Sequence, residues 1–219
     1  MIILPLASLL MFLGPSPQYT PSGAPHAPSV VAPTCTGISG TYTDCFTGSG
    51  VLSSPWTTTI VGGWTSTISQ NGTAALTTTS GMFGAAFYTG GTFAAAQSSR
   101  IIYGDTSNHT QYTAPCVRGT PATGNAYCYL INLGAVYSIG NGAGVSQIVG
   151  GCPSNTSGHD FDIFELSINA TFGLTCRDVT TSTQATGTDG GSVYPSGVPG
   201  FTVDQGQATT AKITKWGGS

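Results

Sequence analysis

The stretch Asp160-Phe161-Asp162-Ile163-Phe164-Glu165-Leu166-Ser167-Ile168-Asn169 decides the fold. Phe164, Leu166 and Ile168 alternate with Glu165 and Ser167. That period of two puts successive side chains on opposite faces of a β-strand. One face would enter a core and the other would meet solvent. The same stretch holds three of the eight acidic residues and the only glutamate of the 219-residue chain. It is therefore also the first place to look for carboxylate chemistry.

Working outward, short runs rich in Thr, Val and aromatic residues recur between turn signals such as Asn71-Gly72, Gly90-Gly91, Gly140-Asn141-Gly142 and Gly190-Gly191. Such runs read as strands and such dipeptides as turns. Strands are expected at about 41–47, 57–68, 73–79, 82–89, 98–104, 112–118, 125–132, 135–140, 145–149, 160–169, 172–178, 199–204 and 209–216. No helical period persists and no internal repeat is evident, so propellers and solenoids are not supported. The pattern predicts an all-β sandwich or barrel.

Composition narrows the class. Charged residues make up 6% of the chain and apolar residues 39%, against about 25% charged in ordinary soluble domains. Solubility must come from hydroxyls and backbone. Five Lys and Arg residues and a net charge of −3 leave no basic patch in the sequence of the kind that drives nucleic-acid binding.

Six cysteines, an even number, point to an oxidising, extracellular compartment. Several connectivities are open. The sequential one is favoured, because Cys116 and Cys128 flank a Gly-rich turn that would place them side by side on antiparallel strands. The other pairs are then Cys35 with Cys45 and Cys152 with Cys176. Zinc is a poor alternative: no C-x-x-C occurs, and His26, His109 and His159 lie far apart.

Met1 to Gly14 form an apolar run, shorter than the roughly 20 residues of a membrane span but of signal-peptide length. It lacks the usual preceding positive charge. Residues 15–34 read as a Pro-rich linker or arm, since seven of the 13 prolines lie in the first 34 residues. The folded domain is expected at 35–219. Asn71, Asn108, Asn155 and Asn169 head sequons and are glycosylation candidates.

Six segments carry a resemblance when taken in order. They are Asp44-Cys45-Phe46 with Leu52-Ser53-Ser54-Pro55-Trp56; Ala114-Pro115-Cys116-Val117-Arg118; Gly124-Asn125-Ala126-Tyr127-Cys128-Tyr129; Glu165-Leu166-Ser167-Ile168-Asn169; Gly197-Val198-Pro199-Gly200-Phe201; and Ile213-Thr214-Lys215-Trp216. From about Thr41 to Gly218 the chain resembles the concanavalin A-like lectin/glucanase superfamily, specifically the LamG-like jelly rolls of secreted and virion or cell-surface proteins. The resemblance implies a two-sheet antiparallel jelly roll whose closing strand lies near the opening one. Members bind carbohydrate, bind protein or hydrolyse glycans, so the fold alone does not name the function.

Three functions follow. The favoured one is a secreted, non-catalytic carbohydrate-binding or surface-adhesion module with a glycan or cell-surface polymer as partner. Sugar C–H faces stack on aromatic rings while polar groups satisfy hydroxyls. The candidates are Tyr127, Tyr129 and Asn132 on one strand, Arg118 on its neighbour, and Trp64. The competing reading buries Tyr127 and Tyr129 in the core and pairs Arg118 with a carboxylate such as Asp162. A second function is a self-assembling subunit of an extracellular filament, virion or surface layer. The third is hydrolysis: Asp160, Asp162 and Glu165 resemble the Glu-x-Asp-x-x-Glu signature of laminarinase-type enzymes, with Asp in place of the first Glu. There a bulge gathers the carboxylates on one face. No cofactor is required; calcium is a candidate through Asp105, Asp178, Asp189 or Asp204, although no dense Asp/Asn loop occurs.

Overall fold

The computed structural model describes residues 35–60, 63, 66–77, 83–104, 112–141, 143–154, 161–191, 193–204 and 212–219. The chain divides into two units, Met1–Val31 and Ala32–Ser219. The apolar segment 1–14, the Pro-rich stretch 15–34, Trp64, Asp105, Asn108, Asn155 and Asp160 lie outside the described residues. Among the described residues there is no helix long and apolar enough to cross a membrane.

Among the described residues there are sixteen strands: β1 (Tyr42–Asp44), β2 (Ser49–Val51), β3 (Trp56–Thr59), β4 (Ile68–Asn71), β5 (Ala75–Thr77), β6 (Phe83–Tyr88), β7 (Gln97–Gly104), β8 (Ala114–Thr120), β9 (Asn125–Leu130), β10 (Ala135–Gly140), β11 (Ala143–Val149), β12 (Ile163–Ile168), β13 (Gly173–Asp178), β14 (Thr183–Thr188), β15 (Val198–Asp204) and β16 (Lys212–Gly218). The larger sheet runs β14-β13-β12-β7-β16-β5-β4-β2, with β1 also paired to β16; the smaller runs β11-β10-β9-β8-β15-β6-β3. Pairing is antiparallel throughout. The fold is a two-sheet jelly-roll sandwich, and its opening and closing strands are partners: Tyr42 faces Gly218 and Asp44 faces Trp216.

The period of two in the quoted stretch becomes β12. Phe164, Leu166 and Ile168 are buried in the main core, and Glu165 and Ser167 lie on the other face. Each core position is matched across the ladder: Phe164 by Ile101 and Leu166 by Ser99 on β7, Leu166 by Cys176 and Ile168 by Leu174 on β13. From the facing sheet come Val117, Tyr127, Tyr129, Val136, Phe201 and Val203. Trp216 and Trp56 meet edge-on, with ring centroids 4.7 Å apart. Their N–H groups are satisfied inside: Trp56 Nε1 donates to Asp44 (2.7 Å) and Trp216 Nε1 to Ser99 Oγ (3.0 Å).

The smaller sheet is apolar on both faces. Its outer side carries Ala85, Phe87, Ala114, Ala126, Leu130 and Ile139 around the Cys116–Cys128 disulfide, all buried. The Phe87 ring lies directly on the backbone of Gly119, where an added Cβ would come within 2.1 Å of it. The remaining disulfides join Cys35 to Cys45 and Cys152 to Cys176, so the pairing is sequential and no cysteine is free.

Three strand assignments differ from the sequence reading. The run expected as one strand at 57–68 is divided: β3 ends at Thr59, β4 begins at Ile68, and the two belong to different sheets. Strands β2 and β14 were not expected. Both are edge strands of the larger sheet. An edge strand facing solvent needs no apolar alternation, and Thr183–Thr188 has none.

Replacing Trp216 with Ala should lower the unfolding free energy by about 3–5 kcal/mol. The measurement is the denaturant midpoint at unchanged slope; a shift of a few tenths would mean that the Trp56–Trp216 contact is peripheral to the core.

Candidate functional site

Of the three carboxylates of the quoted stretch, Asp162 and Glu165 are among the described residues. Strand β12 pairs with β7 and β13 without a register shift from Ile163 to Ile168, so it contains no bulge of the glycosidase kind. Asp162 is half-buried just before the strand, and Asp160 lies outside the described residues. Glu165 stands in register with Arg100 on one side and Arg177 on the other. Arg100 Nε donates to Glu165 Oε2, and Arg100 Nη1 donates to Ser39 Oγ. Glu165 is thus an ion-pair partner on the outer face of the larger sheet.

The expected aromatic platform is corrected by burial. Tyr127, Tyr129 and Arg118 are fully buried. The strand face that bears both tyrosines is the core face, because Val117, Val136 and Phe164 occupy the space before it. Asn132 is not on β9 but in the turn after it. The Tyr127 hydroxyl donates to Asp189, and that of Tyr129 to the Pro153 carbonyl. Asp189 also accepts from the N–H of Gly191 (2.9 Å) and Val193 (3.1 Å), which fixes the loop before β15.

Arg118 enters the interior through a bulge. It adopts φ of 52°, and β8 shifts register there against both β9 and β15. The shift turns the side chain inward despite the alternation of its neighbours. Its partner is not Asp162. The guanidinium donates to the carbonyls of Ala95 (2.7 and 3.2 Å), Asn169 (3.0 Å) and Tyr194 (3.2 Å) and lies 4.2 Å from the Phe172 ring centroid. Burial lowers its pKa, yet an Arg stays cationic at neutral pH.

Of the calcium candidates, Asp178 and Asp189 are described with their side chains. Among the described residues no group of three His, Cys, Asp or Glu side chains could hold a metal. Asp178 accepts from Thr180 N, Thr181 N and the Thr181 hydroxyl, so its oxygens serve a turn, as those of Asp189 do. Of the sequons, Asn71 ends β4 and Asn169 follows β12, and both are exposed.

What the structure does assemble is a platform at the sandwich rim. Tyr42 begins β1 and Tyr88 ends β6; with Phe93 they form a half-exposed cluster. Ring centroids are 5.0 Å apart for Tyr42–Tyr88 and 5.3 Å for Tyr42–Phe93. Trp216 stacks behind Tyr88 at 5.2 Å. Gly91 permits this packing, since a Cβ there would fall 2.4 Å from the Tyr42 hydroxyl. A cavity of about 360 Å³ opens beside the rings, lined by Ser39, Thr41, Tyr42, Thr43 and Tyr88. Burial, then Tyr42 and Asp44, raise the Tyr88 pKa, so its hydroxyl is neutral and able both to donate and to accept. Sequence reasoning missed this site because its rings come from strand ends and a loop far apart in the chain.

No protein-family profile matches the sequence, and no curated protein sequence matches it. Solved structures do. The chain is similar to the VIP36 exoplasmic/lumenal domain in its Ca2+/Man3GlcNAc-bound form, at 11% identity and TM-score 0.50, covering 75% of this chain and 83% of that one. The Ca2+-bound form of the same domain matches at 13% identity and TM-score 0.50, covering 77% and 86%. Lectin II from Ulex europaeus matches at 11% identity and TM-score 0.48, covering 83% and 99%. The fold is that of the concanavalin A-like lectins.

The buried tyrosines set an alkaline limit. Burial raises the pKa of Tyr127, Tyr129 and Tyr194, with Asp189 adding to the first and third and Asp178 to the second. Unfolded, these groups ionise at about 10. A folded-state pKa above the unfolded one gives stability that is complete below about pH 10 and is lost as pH rises further. Denaturant midpoints should be level from about pH 8 to 9 and fall above 10, less steeply in Tyr129→Phe. An equally steep fall in that variant would remove Tyr129 from the account.

Proposed function

We propose that this domain is a non-catalytic carbohydrate-binding module that works outside the cell, with the glycan held at the Tyr42–Tyr88–Phe93 rim. The observation that carries the reading is the cavity of about 360 Å³ in which two tyrosine rings face Ser39, Thr41 and Thr43. A pyranose presents apolar C–H faces and a belt of hydroxyls. A half-exposed aromatic pair matches the former, and short side-chain hydroxyls match the latter. The rings are pre-placed by packing on Trp216 and Gly91, so little side-chain entropy is lost on binding. Three disulfides with no free cysteine suit an oxidising compartment. The sugar-bound VIP36 domain of the same fold adds support for a glycan ligand. Its calcium has no counterpart cluster among the described residues of this chain, so the reading routes no contact through a metal. Hydrolysis is disfavoured by the Arg100 ion pair, which engages the one glutamate.

Tyr42→Ala and Tyr88→Ala should each weaken glycan binding at least about tenfold, equivalent to about 1.4 kcal/mol, while Tyr129→Phe leaves it unchanged. Titration of soluble β-glucan, mannan and related polysaccharides by calorimetry tests this, with reducing-end release scored in parallel. Full affinity in both alanine variants would place the sugar elsewhere. Reducing-end release that is lost in Glu165→Gln would restore the enzyme reading.

A further inference from the structure

The outer face of the larger sheet concentrates positive charge. Arg100 on β7 pairs with Gly217 and Glu165, and Glu165 pairs with Arg177 on β13. One row further along, Lys215 pairs with Ile102, which pairs with Ile163. Lys212 opposes Gly104 on the same face, because its neighbour Ile213 is buried in the core. Of the five basic residues, only Arg118 is inside. The one acid on this face of the described strands is Glu165. Four positive charges against one negative leave +3 here, although the whole chain carries −3.

Two further features show that this face is built to receive something. Arg177 Nε is buried and makes no hydrogen bond. The carboxylate opposite it is engaged by Arg100. The Nε itself is closed to solvent, but Arg177 as a whole is only half-buried, so its positive charge remains available to an anion at the surface. In addition, the charged row is flanked by concavities. One, of about 270 Å³, is lined by Gly37, Ile38, Ser39, Arg100, Ile163 and Val179. The other, of about 310 Å³, includes Ser98, Ser167, Asn169 and Thr175. Ile38 and Ser39 line both the first of these and the aromatic rim cavity, so the two adjoin across one loop. That loop is fastened by the Cys35–Cys45 disulfide and by the bond from Lys215 Nζ to the Thr36 carbonyl (2.5 Å).

We propose that the ligand is an anionic glycan: one sugar ring stacks at Tyr42 and Tyr88, and a carboxylate or sulfate ester of the same chain binds along the Arg100–Arg177 row. This inference rests on the rim reading above and adds the chemical class of its ligand. Arg177 supplies a positive charge and a planar fork suited to an oxyanion. Lys215 and Lys212 add attraction that salt screens. Ser98, Ser167 and Thr175 offer hydroxyls to the neighbouring residue of the chain.

The test compares polygalacturonate with its carboxyl-reduced neutral form, and dextran sulfate with dextran, using wild type, Tyr42→Ala, Arg177→Gln and Arg177→Lys. Near-UV dichroism and thermal midpoints confirm that each variant is folded. The expected result is at least tenfold tighter binding of an anionic polymer than of its neutral counterpart. That preference should shrink in Arg177→Gln, recover partly in Arg177→Lys and fall as salt rises. The carboxylate and sulfate arms show which oxyanion is read. Equal binding of charged and neutral polymers, unchanged in Arg177→Gln but lost in Tyr42→Ala, overturns the anionic class and leaves the rim standing. Anionic binding that survives in Tyr42→Ala and vanishes in Arg177→Gln keeps the basic row and removes the rim. No binding of any polymer overturns both.

Discussion

One buried cation organises the ends of this sandwich. Arg118 leaves β8 in the smaller sheet and reaches the carbonyl of Ala95 just before β7, that of Asn169 at the end of β12 and that of Tyr194 in the loop before β15. A buried charge is tolerated only when its hydrogen-bonding capacity is met. Here backbone carbonyls and the Phe172 ring meet it without a carboxylate. Five donors in a rigid fork can satisfy several carbonyls at once, which a lysine ammonium cannot match in geometry. Gln97 extends the arrangement: its Oε1 accepts from Arg118 N (2.9 Å), and its Nε2 donates to the carbonyls of Ala94 and Gly197. Both sheets and three connections are therefore referred to one guanidinium.

That arrangement determines which surfaces remain for function. Arg118, Tyr127 and Tyr129 are committed to the interior and none of the three is left for a ligand. The centre of the smaller sheet's outer face is apolar and buried. A sugar requires exposed rings together with hydroxyls, and these coincide at the rim, where the strand ends leave Tyr42 and Tyr88 half-covered. The outer face of the larger sheet is the complementary case, carrying Ser, Thr and Arg where the smaller sheet carries Ala and Leu.

The alternation in β12 was legible because it needs only neighbouring residues, and it held to the residue. The order of motifs from Asp44 to Trp216 was likewise enough for the lectin-like sandwich, although the VIP36 domain matches the chain at only 11% and 13% identity in its two forms. Alternation also placed Tyr127 and Tyr129 together on one face. It could not say which face, because an amphipathic ring suits a core and a binding surface equally. The orientation of Arg118 was hidden for another reason: a one-residue bulge reverses the side-chain direction and has no composition signal of its own. The Tyr42–Tyr88–Phe93 rim was illegible because it exists only after β1 and β6 are brought together from opposite sheets.

Glu165 joins the two scales of the problem. The position that first suggested catalysis is the one where a carboxylate is most needed for a different purpose. Arg100 and Arg177 lie on either side of it on adjacent strands, and like charges brought that near on one face repel. A single glutamate between them relieves this and, by pairing with Arg100, leaves Arg177 as the under-coordinated member. In a chain only 6% charged, there is little background field to blur such an arrangement. An asymmetry of one carboxylate then decides which of the two guanidiniums is paired.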